Sequence, residues 1–170
     1  MDILEAINGR KSIRAFKPDP VPLGTLMEIM ELAVRAPSAS NTQSWELAIV
    51  TGGQLEEIKR RLVEKAGEPS NPDMGPPREF PEPYDSRRRA MAAKMYAIRG
   101  IRREDTEKRG WWRLLGLKSF GAPCVIYIYT DRSFLFRPEG TNMAAIFNCG
   151  LVAENIMLLA TKYGLGTIPQ

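Results

Sequence analysis

The chain has 170 residues, 44% hydrophobic and 26% charged, which gives room for one domain with a real core, since a domain of this size buries roughly 70% of the surface its unfolded form exposes. That composition excludes disorder throughout. The formal net charge is +4, histidine is absent and Cys124 and Cys149 are the two cysteines, which argues against a disulfide framework, nearly every zinc site, and Ser-His-Asp or Cys-His catalysis. An enzyme with this inventory is expected to take its chemistry from a cofactor.

In chain order, Asp2 and Glu5 put acid where a secretory leader needs basic residues, and no stretch is expected to reach the length of a membrane span, so a cytoplasmic protein is expected. Residues 2–9 are predicted as a short helix leading into Gly9-Arg10-Lys11-Ser12-Ile13-Arg14, and Pro18 and Pro20 forbid helix beyond it. The apolar spacing of Leu23, Leu26, Met27, Met30, Ala33 and Val34 predicts an amphipathic helix over 23–34, stopped by the turn-forming run Ala36-Pro37-Ser38-Ala39-Ser40-Asn41. A strand over 46–51 and a helix over 54–65 follow.

Residues 67–85 hold six prolines and two glycines, the composition of a long loop, often a lid or substrate-facing segment. Residues 87–117 predict two basic helices with a break near Gly100. Within 87–113 ten Lys or Arg stand against three acids, so the basicity is local. It reads as a solvated helical face or an anion-attracting rim, and nucleic-acid binding is not expected. Residues 123–129 predict a strand apolar on both faces and therefore central. A long helix is predicted from about Thr141 to Tyr163, with Gly164 as its C′ residue, and residues 165–170 begin another extended segment.

Four blocks of residues resemble the nitroreductase family: Arg10-Lys11-Ser12-Ile13-Arg14-Ala15-Phe16; residues 36–45, ending Thr42-Gln43-Ser44-Trp45; Phe120-Gly121-Ala122-Pro123; and residues 150–160, closed by Gly164-Leu165-Gly166-Thr167. Ser44 stands where the family usually has proline. Residues 84–103, with Arg87-Arg88-Arg89, resemble the subgroup that includes 4-nitrobenzoate reductase. The resemblance implies an α+β fold, an α/β/α sandwich with a mixed, mainly antiparallel sheet flanked by helices, in a single domain carrying a lid or insertion at about 67–117. It also implies a homodimer with FMN at the interface. Family members run on for roughly a further strand-helix-strand, which is expected to be missing here.

The resemblance further implies a division of labour among the residues. Arg10 and Ser12 would bind the FMN phosphate, with Lys11 between them in the cofactor-binding set, and Arg14 would stand beside the pyrimidine edge of the flavin. Pro37, Ser38, Ser40 and Asn41 would reach the flavin of the partner subunit. Ile168, Pro169 and Gln170 would lie against flavin N5. The implied activity is ping-pong hydride transfer from NADH or NADPH to a small aromatic, nitroaromatic or quinone-like acceptor, with no catalytic protein acid and no metal. Taken without the resemblance, the basic block is equally an ordinary helix end favoured by the macrodipole, and residues 36–41 a helix stop with local caps. Two alternatives stay open: a catalytically impaired flavin- or ligand-binding protein of the same fold, and a reductase or dehalogenase of another acceptor class.

Overall fold

The computed structural model describes residues 1–69, 71–73, 75 and 79–170. These fall into two compact units, Met1–Ile58 with Ser119–Gln170, and Lys59–Lys118.

The first unit opens with α1, Ile3–Gly9. Asp2 caps it, accepting from the Glu5 N–H at 2.8 Å while the Glu5 carboxylate accepts from the Asp2 N–H at 2.9 Å; two of the otherwise orphaned amides are thereby satisfied. Helix α2 spans Leu23–Ala33 and buries Leu26, Ile29, Met30 and Ala33 along one face. Strand β1, Glu46–Thr51, lies antiparallel to β2, Cys124–Tyr129, in the register Leu47 to Ile128 and Ile49 to Ile126. Those four side chains share the face that packs on the core, and the period of two turns Tyr127 and Tyr129 outward, where both are exposed.

Helix α7, Met143–Lys162, supplies the other half of that core: Ala145, Asn148, Val152, Ile156 and Ala160 are buried, and the helix packs on α1, α2 and β2. Ile29, Met30, Ala33, Ala36 and Trp45 complete the cluster with Val152, Ile156 and Ala160. Gly164 follows at φ 72° as a left-handed C′ residue, and the N–H of Leu165 returns to the Ala160 carbonyl at 2.9 Å, closing the helix. Tyr163 donates to Glu28 of α2, and that bond pushes its phenol above the usual range.

Helix α3, Gly52–Glu64, crosses the boundary between the units. In the second unit α4, Tyr84–Ile98, and α5, Thr106–Leu117, bracket a break at Gly100, which has φ 61°. Arginine–aromatic stacking joins them: Arg99 lies 4.6 Å from the Trp112 ring centre and Arg109 lies 5.6 Å from that of Tyr96. Much of the basic charge is answered inside the unit, Arg88 by Asp85, Arg89 by Glu82, and Arg102 and Lys108 by Asp105. The proline-rich loop expected at 67–85 includes residues 70, 74 and 76–78, outside the described residues, and α4 begins at Tyr84.

Two expectations need correction, and one segment with no expected element forms structure. Strand β2 is not central among the described residues, where it pairs with β1 alone. Its exposed outward positions, Tyr127 and Tyr129, tolerate a wet face because each ring carries a polar tip. Helix α7 is long and apolar enough, at 20 residues and a window mean hydropathy of 1.7, to pass for a membrane span. Asn148, Glu154 and Asn155 interrupt its apolar run without bringing the mean below that of a span, and its buried stripe is part of the core. Finally, residues 131–141 form a short helix α6, Arg132–Leu135, and a hairpin of β3, Phe136–Arg137, with β4, Gly140–Thr141; Pro138 and Gly140 carried that turn signal.

Val152, fully buried at 0% exposure, gives a direct test of the core: Val152→Ala is expected to cost about 2 kcal/mol, read from the midpoint of urea unfolding.

Candidate functional site

The basic block begins where α1 stops. Arg10 is the C-cap, extended at φ −61° and ψ 125°, with its N–H returning to the Ala6 carbonyl at 3.0 Å. The chain then runs parallel to the segment after α7: Ser12 bridges to Thr167, and the Ile13 N–H donates to the Thr167 carbonyl at 2.9 Å. Ser12 and Ile13 and the pair Gly166-Thr167, far apart in sequence, are thus neighbours in space, and Ile168, Pro169 and Gln170 follow directly in the chain.

The extended stretch sorts its side chains by parity. Gly9, Lys11 and Ile13 line a cleft of about 410 Å³ with Thr161, Gly164, Leu165 and Gly166. Because successive side chains of an extended segment point to opposite faces, Arg10, Ser12 and Arg14 share the other face, and Lys11 stands apart from them. Gly166 permits the close approach. A methyl there would meet Ile13 Cγ1 at 2.9 Å, with Cβ and Cγ2 at 3.2 and 3.3 Å, and turning the side chain about χ1 leaves the Cβ contact where it is.

The second group lies in the loop between α2 and β1. Ser38 is extended, and a single 3₁₀ turn, Ala39–Asn41, follows. Ser40, Asn41 and Gln43 all hold left-handed backbone, at φ 52°, 55° and 44°, a conformation that costs an L-residue roughly 1–2 kcal/mol and persists only where surroundings enforce it. Part of the enforcement is local: the Gln43 N–H donates to Ser38 Oγ at 2.9 Å and the Asn41 N–H to the Ser38 carbonyl at 2.9 Å.

The rest comes from α7. Asn148, 1% exposed, accepts from the Ala39 N–H at 3.2 Å and donates to Ser44 Oγ at 3.0 Å and Thr42 Oγ1 at 3.4 Å. Two turns on, Asn155 donates to the Ala33 carbonyl at 3.1 Å, at the end of α2. Neither amide belongs to the blocks that carry the family resemblance for the flavin-contacting residues. The available signal was an amide on the apolar face of a helix, which must find partners when buried. Pro37, Ser40 and Asn41 themselves are exposed, and Ser38 is half-buried.

The two groups do not meet within one chain by way of α7. Asn148 and Gly164 are 16 positions apart on or just past the helix, roughly 24 Å at 1.5 Å per residue. Neither cysteine belongs to either group; burial pushes both thiols up, Cys124 in β2 and Cys149 in α7. Among the described residues no group of three or more acidic, histidine or cysteine side chains could hold a metal ion.

A family model described as the nitroreductase family matches residues 7–170. The chain belongs to the nitroreductase family. It is 34% identical over 166 residues to nitroreductase NfnB of Mycolicibacterium smegmatis, covering 96% of this chain and 68% of that protein. Against a 4-nitrobenzoate reductase of Pseudomonas putida it is 30% identical over 170 residues, covering 99% and 72%. Among solved structures, the FMN-dependent nitroreductase NfnB from Mycobacterium smegmatis in complex with NADPH superposes with a TM-score of 0.86 at 31% identity, covering 95% of this chain and 70% of that one. The chain therefore spans about 70% of the length of these nitroreductases, and its α+β architecture is theirs.

Two outcomes follow from this geometry. In this nitroreductase Gly166→Ala is expected to cost about 1–3 kcal/mol through overpacking against Ile13, with faster amide exchange at Ile13, whose N–H holds the bridge; exchange unchanged at Ile13 would show that the contact does not set the pairing. Because the thiolate is the reactive form, Cys124 and Cys149 are expected to react with a disulfide reagent at pH 8 more slowly in the native protein than in denaturant.

Proposed function

We propose that this nitroreductase is an FMN-dependent enzyme that uses NADH or NADPH to reduce a nitroaromatic, quinone or similar small acceptor. The observation that supports the reading is the Ser12–Thr167 pairing, which joins the segment carrying Arg10, Ser12 and Arg14 to the chain immediately before residues 168–170. The donor chemistry fits the cofactor: a forked guanidinium and a hydroxyl two residues apart suit a phosphate dianion, and a second guanidinium suits an edge that gathers negative charge. Bound FMN would supply the two-electron hydride chemistry that links the nicotinamide to the acceptor.

The chain's own residues bind and tune. Arg10 and Ser12 hold the phosphate, while Lys11, on the reverse face, adds positive charge to the segment without sharing their contact. Arg14 sets a fixed charge where reduction places a negative one, favouring the reduced form. Of the three residues after Thr167, Pro169 has no N–H to offer, so a backbone donor toward the ring comes from Ile168 or Gln170.

Pro37, Ser38, Ser40 and Asn41 serve the site of a second copy in a homodimer. Their separation from the basic block, roughly 24 Å along α7, supports that assignment. So does the outward face of α7, where Met143 and Phe147 are 64% and 67% exposed, and that of α1, with Ile3, Leu4 and Ile7 exposed. Residues 1–170 form one nitroreductase-like domain in which 67–117 are the insertion, and the protein works in the cytoplasm without nucleic-acid or membrane partners. The internal ion pairs of α4 and α5 favour a solvated basic face over a nucleic-acid footprint.

The visible spectrum of the dialysed protein, taken with added FMN and again after anaerobic NADH or NADPH, tests the reading. Flavin bands that stay with the protein and bleach with the nicotinamide support it; a protein that retains no added FMN overturns it. Arg14→Ala is expected to lower the midpoint potential of bound FMN by on the order of 30 mV, about 1.4 kcal/mol for a two-electron couple, measured by redox titration.

A further inference from the structure

The turn at Ser40, Asn41 and Gln43 holds left-handed backbone at three positions, and one buried carboxamide brackets it. Asn148 Oδ1 accepts from Ala39, on the near side of the turn, while Nδ2 donates to Thr42 and Ser44, within and beyond it. Both amide hydrogens are used, and the side chain is 1% exposed on the same stripe as Val152 and Ile156. The helix therefore grips the loop at three points, before, within and after its left-handed residues, while Ser40 and Asn41 are exposed.

We infer that Asn148 is a positioning residue for the flavin site: it acts through the 38–44 loop, fixing the conformation in which Ser38, Ser40 and Asn41 are presented, and touches no cofactor itself. The inference rests on the assignment of that loop to FMN. Its physical basis is that left-handed serine and glutamine revert to ordinary backbone once the enforcing bonds go. Removing the carboxamide also strands the Ala39 N–H, which has no helix or strand to bond to.

The test compares Asn148→Ala with Val152→Ala, a core truncation one turn along the same buried stripe, in the intact protein. Expected is that Asn148→Ala weakens FMN binding about tenfold, shifts the visible flavin bands and raises the apparent KM for the acceptor. Val152→Ala, at a similar loss of Tm, should leave all three within about twofold. Asn148→Asp, which keeps the acceptor for Ala39 and can accept from the two hydroxyls, should recover part of the affinity. Equal FMN affinity and equal spectra in the two alanine variants would overturn the inference. Amide exchange at Ala39 separates this from failure of the flavin reading: if the parent protein binds no FMN, the proposed function falls, while loss of Ala39 protection in Asn148→Ala alone still upholds the anchor and retained protection sinks it.

Discussion

The buried stripe of α7, Ala145, Asn148, Val152, Ile156 and Ala160, is the surface against which the rest of the first unit is ordered. Its small residues let α2 and the β1–β2 pair approach closely, and its large ones fill the space between Leu47, Ile49, Ile126 and Ile128. A fully buried valine or isoleucine contributes on the order of 2 kcal/mol, so the stripe outweighs the individual surface ion pairs, which contribute little. The stripe is not purely apolar. Its amide fixes the loop before β1, and the Leu165 turn beyond its end delivers Gly166 and Thr167 to the segment after α1. Both candidate groups are thus held by the same helix, one near each end.

What was legible in the residues follows from where the information is local. Helix α4 buries no residue and is legible only as a charged, proline-free run bounded by Pro83 and Gly100. The α2 helix, β1 and the long α7 show in their spacing instead, because one buried face per element writes a period into the sequence. Gly164 was legible as a terminator for the same reason. That the second strand pairs with β1 alone among the described residues was not, since Val125, Tyr127 and Tyr129 look apolar whether or not anything covers them. Nor could spacing reveal that Ser12 pairs with Thr167, a contact across more than 150 positions, or that Lys11 parts company with Arg10 and Ser12. The four family-like blocks supplied the site residues. Asn148 fell between those blocks, and its role depends on a loop over 100 positions away.

The two candidate groups also differ in how they are built. The basic block is extended and relaxed, shaped by parity and by one close glycine contact; its chemistry resides in long, charged side chains that reach outward. The 38–44 loop stores strain, keeps its side chains short, and borrows rigidity from a helix. A phosphate can be held by flexible cations, whereas a flat ring is better met by a surface that does not move.

The left-handed run at 40, 41 and 43 also restricts the alphabet in which this loop can be rewritten. Valine, isoleucine and threonine are genuine outliers at positive φ, while glycine, asparagine and aspartate enter at little cost. At Ser40 and Asn41 the least costly replacements are therefore residues that are small or carry short polar groups, which keep that part of the loop hydrophilic and slim.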